Sequence, residues 1–369
     1  MAWLSAGLLA LTQTPPLGAA TPESGLLKIG VLLPPEEPQL QSVREGILLA
    51  QEHANQGTCG PVQVSIRGRV GQWGADAMEA ARLVADEGAA GLIAPPGGAA
   101  SHLVLQVSGR TAVPVVTLCA DSSVGHTGVP WLLRMAPRTE DQAAALFKEI
   151  FPTNSARGRR WVALVPDQRA GREIAHDLRR ASLDCDCDFD RIWEVGALTN
   201  AGQICAQALS SKPDAILLWL PPEPAGILAA RLRGLRYQGP LAGPWPLQSS
   251  EFFSNAGSAA EGFMVPGVAR DPEAVTRWQA FDAAYSKRWR HESDAMAATS
   301  YDAARLLFAL LRRESFQLPP HRLPPGFSWR GVTGEVTFDV EGNRKVQFEL
   351  LRAHAGRFVP INQHQEPVP

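Results

Sequence analysis

The sequence lacks an excess of charge of either sign. Its 369 residues carry 35 Lys and Arg against 37 Asp and Glu, which leaves a net charge of −2. Domains that bind nucleic acid or adhere to anionic lipid normally present a strongly basic surface. The composition therefore speaks against both partner classes, and we predict no binding to nucleic acid.

Three enzyme signatures are missing as well. The chain has no P-loop, no Gly-x-Gly-x-x-Gly after the first predicted strand and no Gly-x-Ser-x-Gly nucleophile elbow. Ser101, His102 and Asp121 offer the residue types of a catalytic triad, but neighbours 101 and 102 on a helix point to different faces. We predict that the protein is not an enzyme and has no cofactor.

Cysteine is scarce and odd in number, with Cys59, Cys119, Cys185, Cys187 and Cys205. An odd count leaves at least one thiol unpaired in a monomer. A local disulfide could join Cys185 or Cys187 to Cys205, and the pairing otherwise stays open. No second Cys/His pair stands at zinc spacing from Cys185 and Cys187, so we predict no metal site.

The N-terminal apolar run is too short to span a membrane, which takes about 20 residues. Residues 2–11 are apolar and uncharged, Pro15 and Pro16 break the run, and small residues follow at 17–20. This pattern is typical of a secretory signal peptide, although no Lys or Arg precedes the apolar core. We assign residues 1–24 to a cleaved signal peptide and expect the mature chain in the periplasm, an oxidising compartment.

Strand-like apolar runs alternate with helix-like stretches along the remaining chain. In one such unit Gly91–Ala94 is followed by a glycine turn, a helix-like stretch and a second apolar run, Val113–Leu118. Two parallel strands joined this way form a right-handed βαβ unit that binds ligands at the carboxyl ends of its strands. A second series begins near residue 139, so we predict an α/β fold of two doubly wound lobes with parallel sheets.

The alternation also suggests how the chain divides between the lobes. We assign residues 26–135 and 267–330 to the first lobe, 136–266 and 331–360 to the second, and 361–369 to a tail. The chain then crosses between the lobes three times, near residues 135, 266 and 327–335, which makes a hinge beside a cleft. Gly334–Asp339 and Lys345–Arg352 have the pattern of a β-hairpin.

This order of elements resembles the type I periplasmic solute-binding proteins of the branched-chain amino acid class. The likeness runs from Leu27 to about Pro360. It rests on short segments in a fixed order: Lys28–Leu32, Arg44–Ala50, Ala80–Val84, Gly239–Gly243, Ala259–Met264, Ala298–Ala303 and Gly334–Asp339. The resemblance implies a monomer whose two lobes close on a small-molecule solute and deliver it to an ABC transporter permease. Two alternatives are a ligand-sensing or regulatory protein of the same fold that is not coupled to transport, and a lobe pair that binds only another protein.

The loops that face the cleft depart from the clamp of the amino-acid binders. In that family a serine-rich turn and a threonine in the next loop grip the α-carboxylate of the ligand. Here the turn Pro95–Ala100 has no hydroxyl before Ser101, and Asp121 stands where the family tends to carry Thr or Ser. Two like charges repel by roughly 1 kcal/mol or more near a surface. We therefore expect a solute other than a standard branched-chain amino acid.

Aromatic and acidic residues at other strand ends take the place of that clamp. Tryptophan offers apolar area, an N–H donor and a π-face that attracts cations, so the cleft would suit a neutral, aromatic or cationic solute. Ordinary packing is the alternative for each Trp, and Arg134 at the first crossing is expected to form a structural ion pair in the hinge rather than to contact ligand. The predicted ligand-binding residues are Trp73, Gly97, Gly98, Ala99, Ala100, Ser101, Asp121, Ser122, Asp167, Trp219 and Trp245.

Overall fold

Two α/β lobes, each built on its own sheet, confirm the predicted fold class. The computed structural model describes residues 25–34, 40–57, 60–68, 74–151, 159–185, 187–313 and 323–361. The predicted signal peptide, Cys59, Trp73 and the tail beyond residue 361 lie outside these ranges. No helix of the described residues is both long and apolar enough to cross a bilayer.

The first lobe holds a five-stranded parallel sheet. Its strands are β1 (Leu27–Leu32), β2 (Val62–Arg67), β3 (Gly91–Ala94), β4 (Val115–Thr117) and β5 (Leu132–Arg134), and its helices are α1 (Gln41–Gln56), α2 (Ala75–Ala85), α3 (Gly98–Thr111), α9 (Pro272–Trp289) and α10 (Ala295–Leu311). The strand order is β2-β1-β3-β4-β5. Every residue of β3 and β4 is buried, because helices cover both faces of the sheet.

The second lobe holds a seven-stranded sheet with the order β15-β14-β10-β9-β8-β6-β7. Its strands are β6 (Arg160–Pro166), β7 (Asp188–Val195), β8 (Ala215–Leu218), β9 (Leu241–Ala242), β10 (Met264–Val268), β14 (Phe348–His354) and β15 (Arg357–Pro360), and its helices are α4 (Thr139–Ile150), α5 (Gln168–Asp184), α6 (Ala201–Ser210), α7 (Pro222–Gly234) and α8 (Ser250–Ala256). β14 and β15 are antiparallel to their neighbours, and the other pairs are parallel.

The two faces of this second sheet support separate apolar cores. Along β6, Val162 and Leu164 belong to one core, and the alternate residues Trp161, Ala163 and Val165 belong to the other. This is the period-two alternation of a strand. Cys205 lies in the first core and Cys187 in the second. The sheet thus separates them, Cys205 is a free thiol, and the local disulfide to Cys205 that the sequence left possible does not form.

A small antiparallel sheet lies where the chain returns to the second lobe. It contains β11 (Trp329–Gly331), β12 (Gly334–Phe338) and β13 (Arg344–Lys345). The predicted hairpin is shorter than expected, because only Thr337 and Phe338 pair with β13 and the chain then continues into β14. Val336 packs in the apolar core of the first lobe. We therefore place the last crossing between Lys345 and Phe348 instead of near residues 327–335.

The first crossing lies beside the turn between β12 and β13, shortly before the last crossing. The Arg134 N–H donates a hydrogen bond to the Gly342 carbonyl, at 2.8 Å between N and O. Arg134 and Asn343 also form an isolated parallel β-bridge. Gly342 has φ +81°, and a Cβ there would collide with the Leu132 carbonyl. Glycine is needed at this point because the two segments approach so closely.

Candidate functional site

A cavity of about 310 Å³ separates the loop after β4, in the first lobe, from α4 and α5 in the second. This loop lies at the carboxyl end of a parallel strand, where α/β sheets bind ligands. The lining residues are charged or polar throughout: Asp121, Ser122, Ser123, His126, Glu140, Arg169, Arg172, Glu173, His176, Asp177 and Arg180. The cavity thus combines four carboxylates with three guanidinium groups and two imidazoles.

Two local features fix the loop that carries Asp121. Asp121 caps the short 3₁₀ turn at 122–127, because its Oδ1 accepts a hydrogen bond from the Ser123 N–H at 2.9 Å. The fully buried Arg134 donates from its guanidinium to the carbonyl oxygens of Asp121, at 2.7 Å, and Ser122, at 3.4 Å. Burial lowers the pKa of Arg134. Arg134 thus fixes the backbone of the loop from within the first lobe, and the Asp121 carboxylate faces the second lobe.

The other oxygen of Asp121 lies at the N-terminus of α3. A Cβ built on Gly98 would overlap Asp121 Oδ2 and would lie 2.7 Å from Glu173 Oε2 on α5. Asp121 Oδ2 is buried and accepts no hydrogen bond from the described residues. Anions are favoured at a helix N-terminus. The chain's own carboxylates, one from each lobe, thus occupy the end of α3 to which a ligand carboxylate would bind.

Helix α5 presents a charged stripe to this loop. Arg169 Nε pairs with Glu173 Oε1 at 2.6 Å, and this bond raises the pKa of Arg169. One turn further on, Asp177 Oδ2 accepts a hydrogen bond from the Ser122 N–H at 3.1 Å. Burial raises the pKa of the Asp177 carboxyl. The Ser122–Asp177 bond joins the two lobes directly across the cavity.

Glu140 lies on the adjacent helix and adds a fourth carboxylate to the wall. Its Oε1 lies 3.4 Å from Arg180 Nε. Burial raises the pKa of Glu140, the charge of Asp177 raises it further, and Arg180 opposes the rise. No group of three or more His, Cys, Asp or Glu within the described ranges has a geometry that could hold a metal ion.

Trp245 closes the cleft next to this cavity. Its ring packs with Ala136 at the first crossing and Ala295 at the start of α10, and Ala120 of the first-lobe loop contacts the same cluster. The backbone N–H of Trp245 donates a hydrogen bond to Gln142 Oε1 on α4, at 3.0 Å. Only 4% of Trp245 is exposed. The indole therefore forms an apolar contact between the lobes beside the charged cavity.

Comparison with known proteins decides the family. Residues 27–317 match the periplasmic binding protein family. The chain belongs to this family. No curated protein matches this periplasmic binding protein. Its similarity to solved structures concerns the fold alone, because the sequence identities are under 25%.

Three solved structures illustrate the likeness of this binding protein to others. A leucine-binding protein from Thermotoga maritima is 20% identical with a TM-score of 0.76, and the match covers 90% of this chain and 97% of that one. A substrate-binding protein from Streptococcus pneumoniae in complex with isoleucine is 18% identical with a TM-score of 0.75, covering 90% and 97%. A solute-binding protein of an ABC transporter from Rhodopseudomonas palustris BisB5 in complex with 3,4-dihydroxybenzoic acid is 17% identical with a TM-score of 0.76, covering 91% and 96%.

Several predicted ligand residues of the binding protein meet at the lobe interface. Gly98, Asp121 and Ser122 lie together beside α5, and Trp245 packs between the lobes. Gly97 precedes the first turn of α3 and is exposed. In that turn Ala99 is exposed and Ala100 is partly buried, and neither lines the cavity. The β4 loop and the start of α3 are thus the predicted part of the site that the fold brings together.

Other predicted residues of the binding protein lie elsewhere. Ser101 is fully buried, and its hydroxyl donates to the Pro95 carbonyl at 2.8 Å and lies 3.1 Å from Thr117 Oγ1. Trp219 lies in an apolar core of the second lobe. Asp167 is exposed next to the start of α5, near Gly196, and does not line the cavity. Trp73 lies outside the described residues.

Arg134 also differs from the sequence prediction. No carboxylate within the described ranges forms an ion pair with it, and its guanidinium instead binds the carbonyl oxygens of Asp121 and Ser122. Arg134 therefore positions the loop of the binding protein rather than neutralising an acid in the hinge.

The α5 residues were missed by the sequence reasoning. Arg169, Glu173, Asp177 and Arg180 recur at intervals of four, four and three residues, which places them on one helix face. A search for apolar periodicity overlooks a polar stripe of this kind. The same periodicity, applied to charged residues after a strand end, would have indicated this wall of the binding protein's cleft.

Proposed function

We propose that the protein is an extracytoplasmic solute-binding protein that closes on a small molecule between its lobes and delivers it to an ABC transporter permease. The observation that carries this proposal is the unpartnered Asp121 Oδ2 beside a cavity bounded by both lobes. Its volume of about 310 Å³ is at the small end of the range for ligand pockets. The family membership and the solutes of the similar structures support a small-molecule ligand.

We further propose that the solute is not a standard branched-chain amino acid. Asp121 and Glu173 would repel a ligand carboxylate at the end of α3, and the Ser101 hydroxyl is already used within the first lobe. A ligand that presents a cationic or neutral hydrogen-bond donor would satisfy Asp121 Oδ2. Hydrogen bonds to charged groups contribute about 1.5–3 kcal/mol, so this interaction would bias selection toward such solutes.

A thermal-shift screen of the protein tests the proposal. The ligands are branched-chain amino acids, amines, amides, short-chain alcohols and aromatic acids. We expect the largest rise in melting temperature from a solute with a cationic or neutral donor. Largest stabilisation by leucine or valine would contradict the proposed solute class, and no stabilisation by any member would speak against solute binding.

A pair of matched variants then locates the best ligand. Asp121→Asn removes the carboxylate at the end of α3, and Asp167→Asn makes the same change at an exposed strand-end position outside the cavity. We expect Asp121→Asn to weaken binding about tenfold or more, the effect of losing a charge-assisted hydrogen bond. Equal affinities of the two variants would rule out a role for Asp121.

A further inference from the structure

A second cavity, of about 370 Å³, lies on the outer side of the first lobe. It is bounded by α1, α9, α10 and β11, and none of its residues lines the interlobe cavity. Its lining combines three arginines with three aromatic rings: His53, Arg277, Ala280, Phe281, Tyr301, Asp302, Arg305, Trp329, Arg330, Gly331 and Val332. Its volume falls in the range for small-molecule pockets, about 300–1,000 Å³.

The positive charge of this outer cavity is incompletely neutralised. Arg305 is partly buried and forms no ion pair or hydrogen bond with the described residues. Arg277 Nε is anchored on the Gly331 carbonyl at 2.9 Å. Its terminal nitrogen lies 3.5 Å from Glu273 Oε2, and Arg330 shares that same oxygen at 3.2 Å. The exposed Glu273 carboxylate thus pairs with both Arg277 and Arg330, and no carboxylate of the described residues pairs with Arg305.

The carboxylate that lines the outer cavity is already engaged. Asp302 is only 1% exposed and accepts hydrogen bonds from the N–H groups of Val332 and Thr333 and from the Thr333 hydroxyl. Glu52 lies beside His53 in sequence but pairs with Arg288, at 2.9 Å. Neither carboxylate therefore pairs with Arg305, whose partly buried guanidinium remains available to a ligand anion.

Aromatic rings form the floor of the outer cavity. Phe281 and Tyr301 pack with ring centroids 5.0 Å apart. The Tyr301 hydroxyl lies 2.9 Å from His53 Nδ1, which fixes the imidazole next to the phenol ring. Burial lowers the pKa of His53, and the positive charge of Arg305 lowers it further. The cavity lining thus combines the edges of uncharged rings with the arginines.

We propose that the outer cavity is a second ligand site, which binds a small aromatic carboxylate. The ring of the ligand packs on Phe281 and Tyr301, and its carboxylate accepts hydrogen bonds from Arg305 and from the free face of Arg277. Arginine suits this task because its planar fork matches the two oxygens of a carboxylate. The site is independent of the function proposed for the interlobe cavity.

A fluorine NMR titration of the full chain with para-fluorobenzoate tests the second site. The neutral isostere para-fluorobenzamide separates charge recognition from ring packing. Arg305→Gln removes the unpaired guanidinium, and Arg352→Gln is the matched control at an exposed arginine of the second lobe. We expect para-fluorobenzoate to bind, the benzamide to bind at least tenfold more weakly, and Arg305→Gln to raise the Kd of the benzoate about tenfold or more.

Three results would overturn the proposal. The first is an absence of para-fluorobenzoate binding to the wild-type protein. The second is equal weakening in Arg305→Gln and Arg352→Gln, which would indicate general charge attraction. The third is binding that survives Arg305→Gln but is lost in Arg169→Gln, which would place the probe in the interlobe cavity. Unchanged melting temperatures of the ligand-free variants verify that each remains folded.

Discussion

The Ser122 N–H of the first lobe donates a hydrogen bond to Asp177 Oδ2 of the second lobe, with 3.1 Å between the two atoms. Asp177 is 3% exposed. Burial raises the pKa of its carboxyl, the negative charge of Asp121 adds to the rise, and the Ser122 hydrogen bond opposes it. This contact between the lobes therefore uses a carboxyl group whose charged form is disfavoured by its surroundings.

This raised pKa makes the stability of the lobe contact depend on pH. A carboxyl group with a folded-state pKa above its unfolded value, about 3.9 for Asp, contributes stability below that value and loses it as the pH rises through the folded pKa. Asp177→Asn keeps an acceptor for Ser122 but cannot ionise. We expect the melting temperature of the variant relative to wild type to rise between about pH 3 and pH 7.

Thermal denaturation of both proteins across this pH range measures the effect, and Asp167→Asn is the exposed control. A difference in melting temperature between Asp177→Asn and wild type that stays constant with pH would show that Asp177 does not titrate in this range.

Gly98 permits the close approach of the two lobes. A side chain there would overlap Asp121 Oδ2 and crowd Glu173, whereas a Cβ on Gly97 would meet no atom within 4 Å. We expect Gly98→Ala to displace the Asp121 and Glu173 carboxylates and to weaken binding of the interlobe ligand at least about tenfold, with Gly97→Ala close to wild type. Calorimetric titration of both variants checks the affinities. Equal behaviour of the two variants would mean that the interface accommodates the methyl group.

Gly46 allows α1 to pack closely on α10. A Cβ at this position would collide with the Ala297 carbonyl and the Ser300 hydroxyl of α10. Gly202, in α6, is exposed and has open space around its missing Cβ. We expect Gly46→Ala to destabilise the protein by about 1–3 kcal/mol and Gly202→Ala to stabilise it by about 0.4–1 kcal/mol. Urea denaturation gives both values, and the same sign for both would contradict the packing argument.

Substitutions of Trp245 and Trp219 distinguish a tryptophan at the lobe interface from one in the core of the second lobe. Both are 4% exposed, but Trp245 contacts the first-lobe loop and Trp219 packs within the second lobe. We expect Trp245→Phe and Trp219→Phe each to lower stability, and only Trp245→Phe to change the affinity for the interlobe ligand. Calorimetry at a temperature where both variants are folded tests this. Unchanged affinity of Trp245→Phe for the interlobe ligand would contradict the prediction that Trp245 contacts the solute.

The fold was predictable because its signals are local. The buried run Gly91–Ala94, the helix-like stretch after it and the next apolar run predict a βαβ unit, and a series of such units predicts a parallel sheet. The small sheet was harder to assign. β12 has a strand pattern, but the sequence does not say that Val336 packs in the first lobe, because that depends on which lobe leaves space for it.

Only those site residues that directly follow a strand could be predicted from the sequence. Asp121 and Gly98 follow strands of one parallel sheet, so their proximity follows from topology. Trp219 also follows a strand, but the sheet face on which a large ring packs depends on the helices that cover it. Glu173 and Asp177 lie one to three turns inside α5 and reach the cavity only because the second lobe closes against the first.

The pairing of Arg134 with the Gly342 carbonyl has a consequence for how the lobes can move. The first crossing is hydrogen-bonded at this point to the turn that precedes the last crossing, and the Arg134 guanidinium also binds the loop of Asp121. Hinge motion is absorbed by backbone torsion changes in a few residues, so contacts between hinge segments oppose separate changes in each segment. We therefore expect the loop of Asp121 to follow the backbone around Arg134 and Gly342 in any rotation of the lobes.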